Sequence, residues 1–146
     1  LDAIRVDYAC GAIEEMVVNA GNSQLSIIEG QGSILHPGSA STLPLIRGSC
    51  PTHLILCHRA GMSRLDTTSS QINVPPLDKV IRLYEDLASA CGSYINPDTT
   101  GIAVNTSHLS KDHAQDVISD ISQQTGLLVV DPVRGGADRL VRSIMS

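Results

Sequence analysis

Four short runs of consecutive apolar residues constrain what this chain can fold into: LSII (Leu25–Ile28), LILC (Leu54–Cys57), IAV (Ile102–Val104) and LLVV (Leu127–Val130). None alternates apolar with polar residues, so each predicts a strand buried on both faces, as in a parallel sheet covered by helices. Parallel neighbours need crossover connections, and segments of helical period supply them. From Tyr8 to Ala20, the residues Ala9, Ala12, Ile13, Met16 and Val17 share a face, and Gly21 is placed to end the helix. From Pro76 to Cys91 the stripe is Leu77, Val80, Ile81, Tyr84, Leu87 and Ala88, closed by Gly92. A third helix begins after the cap Ser110, carries Ala114, Val117, Ile118 and Ile121, and stops near Gly126. The last runs from Ala137 through Leu140, Val141, Ile144 and Met145. The pattern predicts an α/β class with a mostly parallel, doubly wound sheet flanked by helices. Gln31–Pro51 and Arg59–Pro75 read as long connections.

The 146 residues suffice for one domain, or part of one, with a core of its own. That core must be built from Leu, Ile, Val and Ala, because there is no Phe or Trp and only three Tyr. A net charge of −5 without a basic run argues against nucleic acid and against an anionic membrane surface. No apolar stretch approaches the roughly 20 residues needed to span a bilayer. The start, LDAIRVD, has neither a Met nor the basic and apolar regions of a signal peptide, and it reads as the interior of a longer protein. Four scattered cysteines, with no CxxC pair, fit a reducing, cytoplasmic setting. Cys50, His53, Cys57 and His58 can be written as a zinc pattern, but strand alternation turns His58 away from His53 and Cys57. No zinc is expected there, since tetrahedral coordination needs converging ligands.

Ligands of doubly wound sheets bind at the carboxyl ends of the strands. The first exit is Glu29-Gly30-Gln31-Gly32-Ser33, followed by His36 before Pro37. Glu29 can hold Mg²⁺ or act as a general base, or be a solvated strand-end acid. Gly30 and Gly32 let backbone N–H groups of Gly30, Gln31, Gly32 and Ser33 approach a phosphate or carboxylate, although any tight turn can use such glycines. His36 is a general acid or base, or a loop histidine. His58 leaves the next run and faces the same cleft in the functional reading. Arg59, Arg64 and Asp66 lie in a polar loop that closes over a ligand or is merely a charged surface. The third exit is Asn105-Thr106, where a carboxamide reads the edge of a purine or starts a turn. The fourth is Asp131-Pro132-Val133-Arg134.

Taken in order, DYACGAIE (Asp7–Glu14), IEGQGSILHPGS (Ile28–Ser39), LCHRAG (Leu56–Gly61), VPPLDKVIRLYE (Val74–Glu85), IAVNT (Ile102–Thr106) and DPVRGGADRLV (Asp131–Val141) carry a resemblance over essentially the whole chain. The chain resembles the P-loop family, long of unknown function, that includes the DgcN-type D-glutamate N-acetyltransferases. That family's C-terminal domain is similar to dethiobiotin synthetase. The resemblance implies a P-loop NTPase-like fold of the dethiobiotin-synthetase branch, of which residues 1–146 form the C-terminal part. Family members carry a GxxxxGK[ST] motif and a separate N-terminal domain upstream, and this chain has neither. Gly30/Gly32 and Gly135/Gly136 are not followed by Lys and Ser or Thr.

The implied activity is acylation of the amino group of D-glutamate or a related D-amino acid, with acetyl-CoA as acyl donor. The resemblance places Glu29 near Mg²⁺ and phosphates, Asp7 at a substrate or phosphate position, Asn105 and Thr106 at adenine, and Pro132 and Arg134 beside the base. Asp7 also suits the cap of its helix. An ATP- and Mg²⁺-dependent carboxylate ligase like dethiobiotin synthetase is the alternative, and a non-catalytic nucleotide-binding or assembly module is a third reading. This branch of P-loop proteins often dimerises, so the resemblance leaves a homo-oligomer open.

Overall fold

The computed structural model describes residues 5–66 and 71–145. Three parallel strands form the main sheet: β1 (His53–Arg59), β4 (Asp98–Asn105) and β5 (Val129–Val130), in the order β1-β4-β5. Leu54–Cys57 and Ile102–Val104 therefore lie within strands, and Leu127–Val130 is a strand over its last two residues; the parallel pairing agrees with their unalternated sequences. The β1–β4 register runs from His53 opposite Asp98 to Arg59 opposite Asn105, with one irregularity between Leu54 and Ile55.

Crossover helices α3 (Leu77–Ser89) and α4 (Lys111–Thr125) connect β1 to β4 and β4 to β5. The predicted stripe of α3 faces inward, with Val80, Ile81 and Ala88 buried. At α4, Ser110 accepts a hydrogen bond from the His113 amide, and Gly126 closes the helix at φ 72°. Helix α6 (Asp138–Met145) buries Leu140. Its approach to β4 requires Gly101, where a Cβ would stand 2.7 Å from Leu140 Cδ2 and 3.0 Å from the Leu128 carbonyl oxygen.

The core centres on β4. Ile102 and Val104 are fully buried, and Ala60, Ile81, Ile121 and Val129 complete the cluster. These are aliphatic residues, as a chain without Phe or Trp demands.

Other expectations are corrected. LSII forms no strand; Leu25, Ile27 and Ile28 are 37, 83 and 40% exposed. A strand needs a ladder partner as well as apolar side chains, and among the described residues none pairs with this run. Helix α1 spans Val6–Asn19 and buries Ala9 and Ile13, but Met16 is exposed on its flank. Asp7 is not its cap: Arg5 holds that position, and Asp7 lies in the first turn, where its carboxylate favours the helix dipole.

Both long connections contain regular structure. Gln31–Pro51 includes α2 (Thr42–Ser49), whose Pro44 falls in the first turn, where no amide donor is needed. Helix α2 packs so closely on α1 that a Cβ at Gly48 would sit 2.5 Å from the Cys10 carbonyl oxygen. Arg59–Pro75 includes an antiparallel pair, β2 (Arg64–Asp66) and β3 (Gln71–Asn73), with the Arg64 guanidinium donating to Gln71 Oε1 at 3.1 Å. Thus Arg64 and Asp66 bound a strand rather than lying free in a loop. Among the described residues, no helix is long and apolar enough to cross a membrane.

Candidate functional site

Because β1, β4 and β5 run parallel, their exits gather along one end of the sheet. The Ala60 amide donates to the Asn105 carbonyl at 3.1 Å and ties the first exit to the second. The second and third are held together by Asp131, which is buried. Asp131 Oδ2 accepts from the Thr106 amide at 3.0 Å and from the Thr106 hydroxyl, while Oδ1 accepts from the amides of Val133 and Arg134 at 2.9 and 3.2 Å. Burial alone would raise this carboxyl's pKa. The hydrogen bonds from Thr106, Arg134 and Val133 outweigh that effect and hold it below its ordinary value.

Asp131 also caps the short helix α5 (Pro132–Gly135), with Pro132 in the first position. That helix delivers Arg134 back across the exit. Its Nε donates to Thr106 Oγ1 at 2.9 Å, and its Nη2 donates to the carbonyls of Thr106 and Leu109 at 3.0 and 2.6 Å. Thr106 therefore gives its hydroxyl proton to Asp131 and accepts from Arg134. The structure brings Thr106, Pro132 and Arg134 together as a clasp. Asn105 stands exposed beside it, with Oδ1 accepting from the Ser107 amide at 3.0 Å, so its amino group is left facing outward.

His58 lies near the end of β1, half-buried opposite Val104, and desolvation lowers its pKa from 6.5. It is therefore neutral at pH 7. The neighbouring Cys57 thiol is pushed up by desolvation, the opposite of what a nucleophilic thiolate requires.

The Glu29–Ser39 segment forms a second group. Thr42 Oγ1 donates to the Gln31 carbonyl at 2.9 Å, the Ser33 amide donates to Ser39 Oγ at 3.0 Å, and the Ile34 amide donates to the Tyr84 hydroxyl at 3.0 Å. Gly32 has φ 77°, and a Cβ there would collide with Ser39 Oγ, so both the turn and the close approach require glycine. Ser33 is not a free anion donor, since its amide is already bonded. Among the described residues, the amides of Gly30, Gln31 and Gly32 make no hydrogen bond within the chain. Glu29 is exposed beside them. No hydrogen bond or ion pair among the described residues joins this loop to the exit clasp, and Asp7 is exposed on α1, apart from both networks.

No three His, Cys, Asp or Glu side chains among the described residues are placed to hold a metal ion. Glu29 is a single exposed carboxylate, and Mg²⁺ held by one carboxylate takes its remaining ligands from waters and substrate phosphates. The positioning is done by Asp131, which the sequence reading named only as part of the fourth exit, and by Ser39, Thr42 and Tyr84, to which it gave no site role. The Asp131-Pro132 pair was the available signal, because an acid before proline is a helix start.

The architecture has close relatives. Residues 1–141 match the family model described as a domain of unknown function, the DUF1611_C P-loop domain. The chain belongs to the DUF1611 family. A crystal structure of a DUF1611 family protein from Anabaena variabilis superimposes with a TM-score of 0.93 at 50% identity, over 99% of this chain and 42% of that one. Proteins named D-glutamate N-acetyltransferase from a Pseudoalteromonas species and from Tritonibacter scottomollicae are 35 and 34% identical over 99% of the chain. The chain spans 43% of the length of each. Against this P-loop family membership, its 146 residues contain no GxxxxGK[ST] sequence.

Proposed function

We propose that this chain carries part of the site of an N-acetyltransferase acting on D-glutamate or a related D-amino acid. The observation behind the reading is the match, along 99% of the chain, to two relatives named for that activity. The Glu29–Gly32 loop suits the chemistry. The Glu29 carboxylate takes a proton from the substrate ammonium. The freed amine then attacks the acetyl carbonyl of acetyl-CoA, forming the C–N bond. Unpaired amides of Gly30, Gln31 and Gly32 hold the oxyanion that develops. Collapse breaks the C–S bond as the nitrogen's second proton passes to the departing sulfur, so the amide forms and CoA leaves as the thiol. Scattered thiols support a cytoplasmic setting for this reaction.

The P-loop family model favours a second reading, an ATP-dependent ligase that activates a carboxylate. In that case Asn105, Thr106, Pro132 and Arg134 would lie at the base and Glu29–Ser33 at the phosphates.

The test incubates the intact gene product that contains this segment with acetyl-CoA and D-glutamate, with and without Mg-ATP, and follows free CoA and ADP together. CoA release independent of ATP is expected. ADP release would move the assignment to the ligase, and silence in both channels would leave a binding module. Glu29→Gln is expected to lower kcat by about 100-fold or more, in the range of a lost general base.

A further inference from the structure

The triplet His36-Pro37-Gly38 holds an imidazole in one place and one protonation pattern. The Gly38 amide donates to His36 Nδ1 at 3.0 Å. The His36 amide donates to the Ser33 carbonyl at 2.9 Å, and the Ser39 amide donates to the His36 carbonyl at 3.0 Å, so the backbone is fixed on both sides of the ring. Pro37 fixes φ between them. Gly38 lets the ring lie close: a Cβ there would stand 3.1 Å from His36 Cε1 and 3.2 Å from Nδ1, so the imidazole would have to give by a few tenths of an ångström.

An atom that accepts a hydrogen bond from an amide carries its lone pair, not a proton. With Nδ1 as acceptor, the neutral ring bears its hydrogen on Nε2. His36 is half-buried, and among the described residues Nε2 has no partner.

The geometry points to His36 as a hydrogen-bond donor, through Nε2–H, to an oxygen of the bound substrate, and not as a proton acceptor. A general base needs a free lone pair, and the one on Nδ1 is already committed to Gly38. This inference rests on the acyl-transfer reading above and divides its roles. Glu29 accepts the ammonium proton, and His36 donates to the acetyl carbonyl oxygen as it becomes an oxyanion. No proton leaves the imidazole in the step.

The test has one arm that does not depend on turnover. In ¹⁵N-labelled protein at pH 8, His36 is expected to show an unprotonated Nδ1, scalar coupling from the Gly38 amide across the hydrogen bond, and a proton on Nε2. Gly38→Ala, whose methyl group presses on the ring, should weaken the coupling while the remaining spectrum stays folded. Addition of acetyl-CoA and D-glutamate should move the Nε2–H proton downfield. A proton on Nδ1, or an Nε2–H resonance that ignores both ligands, overturns the inference.

The second arm compares variants in the acetyl-transfer assay. His36→Gln, which keeps an N–H donor at a similar reach, should stay within about tenfold of wild type. His36→Ala should lose about 100-fold or more in kcat, as for an oxyanion donor removed, with little change in KM. Equal loss in both variants also overturns the donor role. Absence of acetyl transfer by the wild-type protein would instead overturn the reading of function, while the spectra still decide what His36 presents.

Discussion

At the scale of single residues, the sheet exits depend on Asp131. Its two oxygens accept from three amides and one hydroxyl in a place nearly closed to water. Asp131→Asn keeps the volume but removes the charge and turns an amino group toward donors. We expect a loss of about 2–3 kcal/mol at pH 7, the range for donors left unpaired on burial. The pH dependence follows from the depressed pKa. Because the folded protein holds this carboxyl below its ordinary 3.8, its contribution is fully present above that value and is lost as pH falls through the folded pKa. Urea titrations of both proteins at pH 7, 4 and 3 should therefore show the gap narrowing only in acid. Some of this scale was readable beforehand. Ser110 is a cap in sequence and in structure, because a serine before a helical stripe satisfies an orphan amide locally. Asp7 was not readable in the same way. A first-turn acid and a capping acid look alike until the backbone shows which residue leaves the helix.

At the scale of elements, periodicity located the helices that pack on the sheet and missed α2. Its sequence, TLPLIRGS, holds a proline and a glycine, both poor helix formers in isolation. Tertiary packing overrides them, since Gly48 lets the backbone of α1 come within reach of α2. Gly48→Ala places a methyl group 2.5 Å from a backbone oxygen and 2.9 Å from Ile13 Cβ. One helix must then move. The expected loss is about 1–3 kcal/mol, typical of overpacking, measured as a lower midpoint in thermal unfolding. The LSII run is the opposite case. Its side chains suit a strand, but pairing is a property of neighbours, and the described residues supply none.

At the scale of the whole molecule, the α/β class and the parallel sheet were legible because three unalternated runs can be satisfied only between layers of helix. The gathering of three strand exits at one end was legible to the same extent, since parallel topology sends them there, whereas the Glu29–Ser39 loop follows no strand among the described residues. What sequence could not supply was how each exit is fastened: Asp131 to Thr106 across 25 residues, and Ile34 to Tyr84 across 50. Contacts of that separation leave no periodic trace.

The Ile34–Tyr84 bond has an optical consequence. With no tryptophan in the chain, its near-ultraviolet signals come from three tyrosines. Tyr8 and Tyr94 are 67 and 52% exposed, whereas Tyr84 is partly enclosed and its hydroxyl oxygen accepts the Ile34 amide. Circular dichroism near 280 nm should therefore report on Tyr84 together with Tyr94, over whose ring the Arg47 guanidinium lies 4.9 Å away, and of the two Tyr84 is the one wired to the Glu29–Ser39 loop. Substrate that reseats the loop will change that band, and Tyr84→Phe will erase the response. On the proposed reading, that band is an unlabelled gauge of occupancy, readable before any product is formed.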